Sequence, residues 1–165
     1  MSGTRRKSYE AGHRPKFLAV VDDSDECSRA VRFAVRRASR TGAGVVLLSI
    51  VADGEFQQWL GVGDLMREEA EEAAAQMLET HAAAARAMAG IEPEVLVRSG
   101  LKADEILRLI GEDEDISFFV LAAGIGAEGP GPLVSSLASK TSASFPIPIV
   151  IVPGGLEDAE IDALA

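Results

Sequence analysis

Three stretches of this chain are apolar almost without interruption: GVVLLSIV at 44–51, ISFFVLA at 116–122 and IVIV at 149–152. A strand with one wet face alternates apolar and polar residues. A strand apolar along its whole length is buried on both faces, which places helices above and below a parallel sheet. Shorter runs at 16–21 (KFLAVV) and 94–97 (EVLV) read as two further strands. The segments between them carry helical spacing. One helix runs to about residue 40, with Ala30, Val31, Ala34 and Ala38 on one stripe and Arg36, Arg37 and Arg40 complementing its C-terminal end. A second is predicted over 65–88, with Met66, Ala73, Met77, His81, Ala84 and Met88 recurring. A third is predicted over 103–110, with Ile106, Leu107 and Ile110 inward, and a fourth over 133–142. Strand and helix alternate four times and end on a strand, which defines a doubly wound α/β fold.

Such a fold binds ligands beyond the carboxyl ends of its strands. Two loops meet there. The first, Asp22-Asp23-Ser24, follows the first strand; Asp23 with Glu26 three residues on reads as a capping box for the next helix. The second, GIGAEGPGP at 124–132, follows the fourth strand. Gly124, Gly126 and Gly129 satisfy G-x-G-x-x-G, a weak signal alone. A dinucleotide site would carry it after the first strand, with an acidic residue near the end of the second, so NAD and FAD are not expected. A mononucleotide phosphate fits better, on the backbone N–H groups of the loop and on Ser135 and Ser136 in the first helical turn. The opposing reading is a turn shaped by Gly and Pro. Pro130 and Pro132 each remove a donor, Glu128 adds a like charge, and the loop has no Lys or Arg.

Other chemistries are poorly supplied. No P-loop is present. The acidic pair Asp22-Asp23 lacks the acceptor Asp and the late Lys of a phosphorylated receiver domain. The two histidines, His13 and His81, are far apart, and His81 sits on an apolar stripe, which gives little support to a zinc site or a nucleophile–base pair.

Charge and cysteine content narrow the partners. The net charge is −10. Residues 1–16 hold five Lys or Arg against one Glu, leaving eleven basic against 25 acidic residues elsewhere. A body so acidic repels nucleic acid and anionic lipid, so neither is an expected partner. One cysteine, Cys27, and the lack of a secretion-type apolar stretch point to the cytoplasm. Residues 1–14 are expected as a basic, disordered tail, 15–153 as the α/β domain and 154–165 as an acidic C-terminal tail.

With these residues in view, the chain resembles the universal stress protein family over about 15–153. The likeness rests on VDDS at 21–24, LLSIV at 47–51, GLKADEIL at 100–107 and SSLASKTSASFPIPIVIVP at 135–153. The resemblance implies a Rossmann-like five-stranded sheet of order 3-2-1-4-5. It also implies regulatory binding of ATP or another adenine nucleotide, with Mg²⁺ accompanying it, and little or no catalysis. Many members hold ATP through G-x2-G-x9-G-[ST]. Counted back from the last strand, that pattern falls on Ala122, Ile125, Ser135 and Ser136, and only the last matches. Gly124, Gly126 and Gly129 are the displaced replacements. By the same resemblance Asp22 contacts adenosine and Ile50 lines the adenine. It implies, finally, a homodimer through the last strand. The edge Ile149-Val150-Ile151-Val152 is apolar and uncharged, and such an edge is normally paired or covered. The segment 156–165, with Leu156, Ile161 and Leu164 inward, is the alternative cover. The competing functional reading is a family member that binds no nucleotide and acts as a dimeric module for an unidentified protein partner.

Overall fold

The computed structural model of the protein describes residues 5–52, 62–124 and 145–165. Five strands lie within them: β1 (Lys16–Val20), β2 (Gly44–Val51), β3 (Glu94–Ser99), β4 (Ile116–Ala122) and β5 (Ile149–Val152). Four helices accompany them: α1 (Cys27–Thr41), α2 (Val62–Ala89), α3 (Lys102–Glu112) and α4 (Asp158–Leu164). All strand pairs are parallel and the order is β3-β2-β1-β4-β5, as expected. The helix predicted over 133–142 lies outside the described residues.

The order decides which face each helix covers. From β1 to β3 the chain steps in one direction, so right-handed crossovers put α1 and α2 on the same face. From β3 it returns across the sheet to β4, and α3 covers the opposite face. Side chains divide accordingly. Phe17, Ala19, Val45 and Leu47 pack with α1 and α2. Leu18, Val20, Val46 and Leu48 pack with Ile106, Leu109 and Ile110 of α3. Burial on both faces is the physical origin of the uninterrupted apolar runs.

Helix phasing departs from the sequence reading in two places. In α2 the buried apolar side chains described are Ala74, Leu78, Ala82 and Ala85, whereas Ala73 and Ala84 are exposed, as is Met66. The true stripe is turned by about one residue. Small Ala side chains let α2 sit close to the sheet, while Met77, His81 and Met88 flank the contact half-buried. In α3 Leu109 is buried and Leu107 exposed, the reverse of a stripe drawn through Leu107.

Both the segment from residue 5 onward and the C-terminal segment are built into the fold. Residues 5–14, expected as a disordered tail, lie against the turn between α3 and β4. The guanidinium of Arg6 donates to the carbonyls of Ile110 (2.7 Å) and Asp113 (3.0 Å). Lys7 pairs with Glu114 at 3.0 Å and His13 meets Asp115 at 2.7 Å. Basic residues of the leader find the acidic run at 112–115 opposite them, which gives the segment a partner that composition alone does not reveal.

At the other end, α4 packs on α1. Ile161 is fully buried and Leu156 partly so, but Leu164 stays 65% exposed. The capping box absent from α1 is found here. Glu157 and Glu160 satisfy each other's backbone N–H groups, whereas α1 begins at Glu26 with no side-chain cap. Two of the three arginines expected to complement the end of α1, Arg36 and Arg40, reach across to this segment, and Arg32 joins them. Arg32 donates twice to Asp162 (2.8 and 2.7 Å), Arg36 donates to the same carboxylate (3.0 Å), and Arg40 binds the Ala165 carbonyl.

This clasp has a pH signature. Hydrogen bonds from Arg32 and Arg36 lower the Asp162 pKa from 3.8 to about 2. A carboxylate depressed on folding stabilises the fold above its unfolded pKa, and that contribution vanishes as pH falls through the folded value. Acid titration followed by circular dichroism should show a modest loss of stability between about pH 3.8 and 2. Asp162→Asn should remove that limb of the curve. An unchanged acid midpoint in the variant would count against the clasp.

Candidate functional site

The carboxyl ends of β1 and β2 place the first two site residues level with each other. Val20 pairs with Leu48, and the Val21 N–H donates to the Leu48 carbonyl at 2.8 Å. Parallel register therefore sets Asp22 beside Ile50. One strand further out, Ile50 pairs with Arg98, and the Gly100 N–H donates to the Val51 carbonyl at 3.0 Å. Gly100 has φ +141°, a conformation that glycine alone adopts readily, and an added Cβ would meet Glu105 at 3.0 Å. That turn delivers Lys102, the first residue of α3, to the same end of the sheet.

Asp22, Ile50 and Lys102 share a cleft of about 460 Å³. Val20, Val21, Asp22 and Asp23 form one wall, with Ser49 to Ala52 from the β2 end. Ala70, Ala73, Ala74 and Met77 of α2 form another, and Lys102 closes a side. The volume falls within the range of small-molecule sites. Most of the lining is aliphatic, with two carboxylates and one ammonium among the described residues.

Asp22 is held in a defined pose. Its Oδ1 accepts the Ser24 N–H at 2.9 Å and the Ser24 hydroxyl, an Asx-type turn that fixes the loop. The Cys27 thiol donates to the Asp22 carbonyl at 3.3 Å. Oδ2 faces the Lys102 ammonium at 4.0 Å, and the Asp22 side chain is 34% exposed. Asp23, read from the sequence as a helix cap, is exposed and makes no such cap.

Beneath this turn, His81 Nε2 of α2 lies 3.7 Å from the Cys27 sulfur. Burial raises the Cys27 pKa, an effect the hydrogen bond to Asp22 only partly offsets. Burial likewise lowers the His81 pKa, against the pull of the Asp22 carboxylate. Both shifts favour the neutral forms. A neutral thiol beside a neutral imidazole is a packed support for the turn, not an activated nucleophile.

The structure thus joins Asp22 and Ile50 on one cavity. Gly124 follows β4, half-buried, and is not among the cavity's described lining residues. Gly126, Gly129, Ser135 and Ser136 lie outside the described residues. The sequence reading missed the α2 wall and Lys102. For Lys102 a signal existed: it follows a strand that neighbours β2, so its helix starts at the ligand end of the sheet.

A Rossmann-like α/β sheet of this order, with a cleft at the β1 and β2 ends, defines a class of fold; comparison with known proteins narrows it. The family model described as "Universal stress protein family" matches residues 13–153. The chain belongs to that family. Among solved structures it is similar to the universal stress protein UspA from Lactobacillus plantarum, with 19% identity, TM-score 0.70, and 84% of this chain and 97% of that one covered. A universal stress protein from Archaeoglobus fulgidus in complex with dAMP shares 19% identity over 84% of this chain and 96% of that one, with TM-score 0.54. A universal stress protein in complex with cAMP shares 16% identity over 86% and 98%, with TM-score 0.59. At these identities the likeness speaks to the fold. No curated protein matches the chain. Among the described residues, no helix is long and apolar enough to cross a membrane.

Proposed function

We propose that this protein is a regulatory binder of an adenine nucleotide, with little or no catalysis, working in the cytoplasm. The observation that carries the reading is the single cleft shared by Asp22 and Ile50. Ile50 supplies an apolar surface for the base, and Asp22 supplies an acceptor for a nucleoside N–H or O–H. Gly124, Gly126, Gly129, Ser135 and Ser136 take the phosphates in this reading, and Mg²⁺ enters with a triphosphate as its counter-ion. Family members crystallised with dAMP and with cAMP make the ligand class a reasonable one for this fold. Calorimetric titration of the purified protein with ATP, ADP and AMP tests it. Binding at or below millimolar concentration, about −4 kcal/mol, is expected. The absence of heat and of competition at that concentration would remove the reading.

The protein is proposed to work as a homodimer through β5. Among the described residues that strand pairs only with β4, and α4 packs on α1 rather than along the outer edge of β5. Ile149 and Val150 are half-buried, and Ile151 is 40% exposed. The same edge supports the second reading, a nucleotide-free interaction module. Light scattering should give a dimer for the native chain and a monomer for Ile151→Glu. Two like charges facing across a two-fold edge cost several kcal/mol, enough to raise the dimer dissociation constant by roughly a hundredfold or more. A native monomer at high concentration would exclude the β5 dimer and leave the nucleotide site unaffected.

A further inference from the structure

We propose that Lys102 selects phosphorylated over unphosphorylated adenine ligands, by exchanging its contact with Asp22 for a contact with the ligand's phosphate. The proposal rests on the nucleotide reading of the cleft and concerns which form of ligand it prefers.

The argument begins with charge. A chain of net charge −10 repels an anionic ligand, and the described wall of the cleft adds Asp22 and Asp23. Against them stands one ammonium, that of Lys102, the sole cation among the described lining residues. Glu105, one turn further along α3, does not enlarge the deficit: it is held by Arg108 at 2.6 Å and faces Arg98 at 3.9 Å, outside the cleft lining. In a partly enclosed cleft with low-dielectric walls a single charge counts for more than it would on open surface.

Geometry supplies the second step. Lys102 and Asp22 meet at 4.0 Å, the outer limit of an ion pair, and the lysine side chain is 49% exposed. A pair of this kind holds weakly and opens at little cost. The flexible four-carbon stem lets the ammonium move while α3 stays fixed by Ile106, Leu109 and Ile110 in the core. The asymmetry of Asp22 matters here. Its Oδ1 is engaged by Ser24, so Oδ2 is the oxygen with capacity for a nucleoside donor, and Oδ2 is the one Lys102 covers. One movement of Lys102 therefore does two things: it uncovers the acceptor for the nucleoside and brings a cation to the phosphate. A neutral nucleoside would break the same pair and offer the ammonium nothing in return.

The exchange makes a prediction whose sign a merely structural role would not produce. Adenosine, AMP and ATP are titrated into the native chain, Lys102→Met and Lys102→Arg, with thermal melting as the check on folding. The native chain should bind AMP more tightly than adenosine. Lys102→Met should weaken AMP about tenfold, the loss of one partly exposed charge-assisted contact. Adenosine affinity should be unchanged or higher, because no ion pair has to open. Lys102→Arg should restore most of the AMP preference, and raising the salt concentration should shrink that preference in the native chain without weakening AMP binding by Lys102→Met, where salt screens only the repulsion from the acidic surroundings. Equal weakening of adenosine and AMP would overturn the proposal, since Lys102 would then act only by shaping the Asp22 turn. No change in either affinity would overturn it as well. Binding of neither ligand by the native chain is a different result, which removes the nucleotide reading itself and this proposal with it.

Discussion

Replacing Asp22 with alanine should abolish most nucleotide affinity while leaving the fold intact. A hydrogen bond to a carboxylate contributes about 1.5–3 kcal/mol, so adenosine and AMP should both bind roughly 10- to 100-fold more weakly. The experiment separates two ideas that agree on the native protein. If the cleft attracted nucleotides through its overall potential alone, removing a negative charge would strengthen AMP binding. If Asp22 accepts a hydrogen bond from the nucleoside, the same change weakens it. The opposite signs make one calorimetric comparison decisive, and tighter AMP binding by Asp22→Ala would refute the assigned role. Folding should survive because the Asp22 side chain is about one-third exposed, its hydrogen-bond partner among the described residues, Ser24, is two residues away, and its ion pair with Lys102 is long. Asp22→Asn should fall between the two, keeping an acceptor oxygen but losing its charge.

Much of this architecture is legible in the sequence because burial leaves a strong mark on strands. A stretch such as GVVLLSIV has no polar face to offer water, so it belongs inside a sheet covered on both sides, and β2 occupies that position. That Asp22 and Ile50 stand together at the carboxyl ends of their strands, on one cleft, is also legible from the rule that ligand loops gather there. Helix phase was harder. In α2 nearly every third or fourth residue is Ala or Met, so several stripes fit equally well; only docking against β2 and β3 selects the one through Ala74 and Leu78. Side-chain pairs distant in sequence were not legible at all. Nothing local to Arg32 announces Asp162, 130 residues away, and nothing in GLKADEIL announces that Lys102 will face Asp22. Those contacts are products of the topology. They become readable only once the strand order places β3 beside β2 and brings the C-terminal segment over α1.

The C-terminal segment gives the second large expected effect. Ile161→Ala should lower stability by about 2–4 kcal/mol, within the range for truncating a fully buried aliphatic side chain. A seven-residue helix cannot hold itself together in water; its existence depends on what it packs against. Ile161 is its one fully buried hydrophobic residue, set into the cluster that includes Ala30, Val31 and Ala34 of α1. The arginines around Asp162 sit at the rim of that contact, where solvent weakens them, so the apolar knob and not the clasp carries most of the attachment. Two measurements tell whether α4 belongs to the cooperative unit. In urea, Ile161→Ala should shift the midpoint of the single global transition if α4 unfolds with the sheet. If α4 instead detaches by itself, the midpoint will stay where it was and only the amide hydrogens near 158–165 will exchange faster. The first outcome is expected, because losing α4 uncovers apolar side chains of α1 that the sheet depends on. An acidic appendage with no structural role would produce neither change, and that result would overturn the placement of Ile161 in the core.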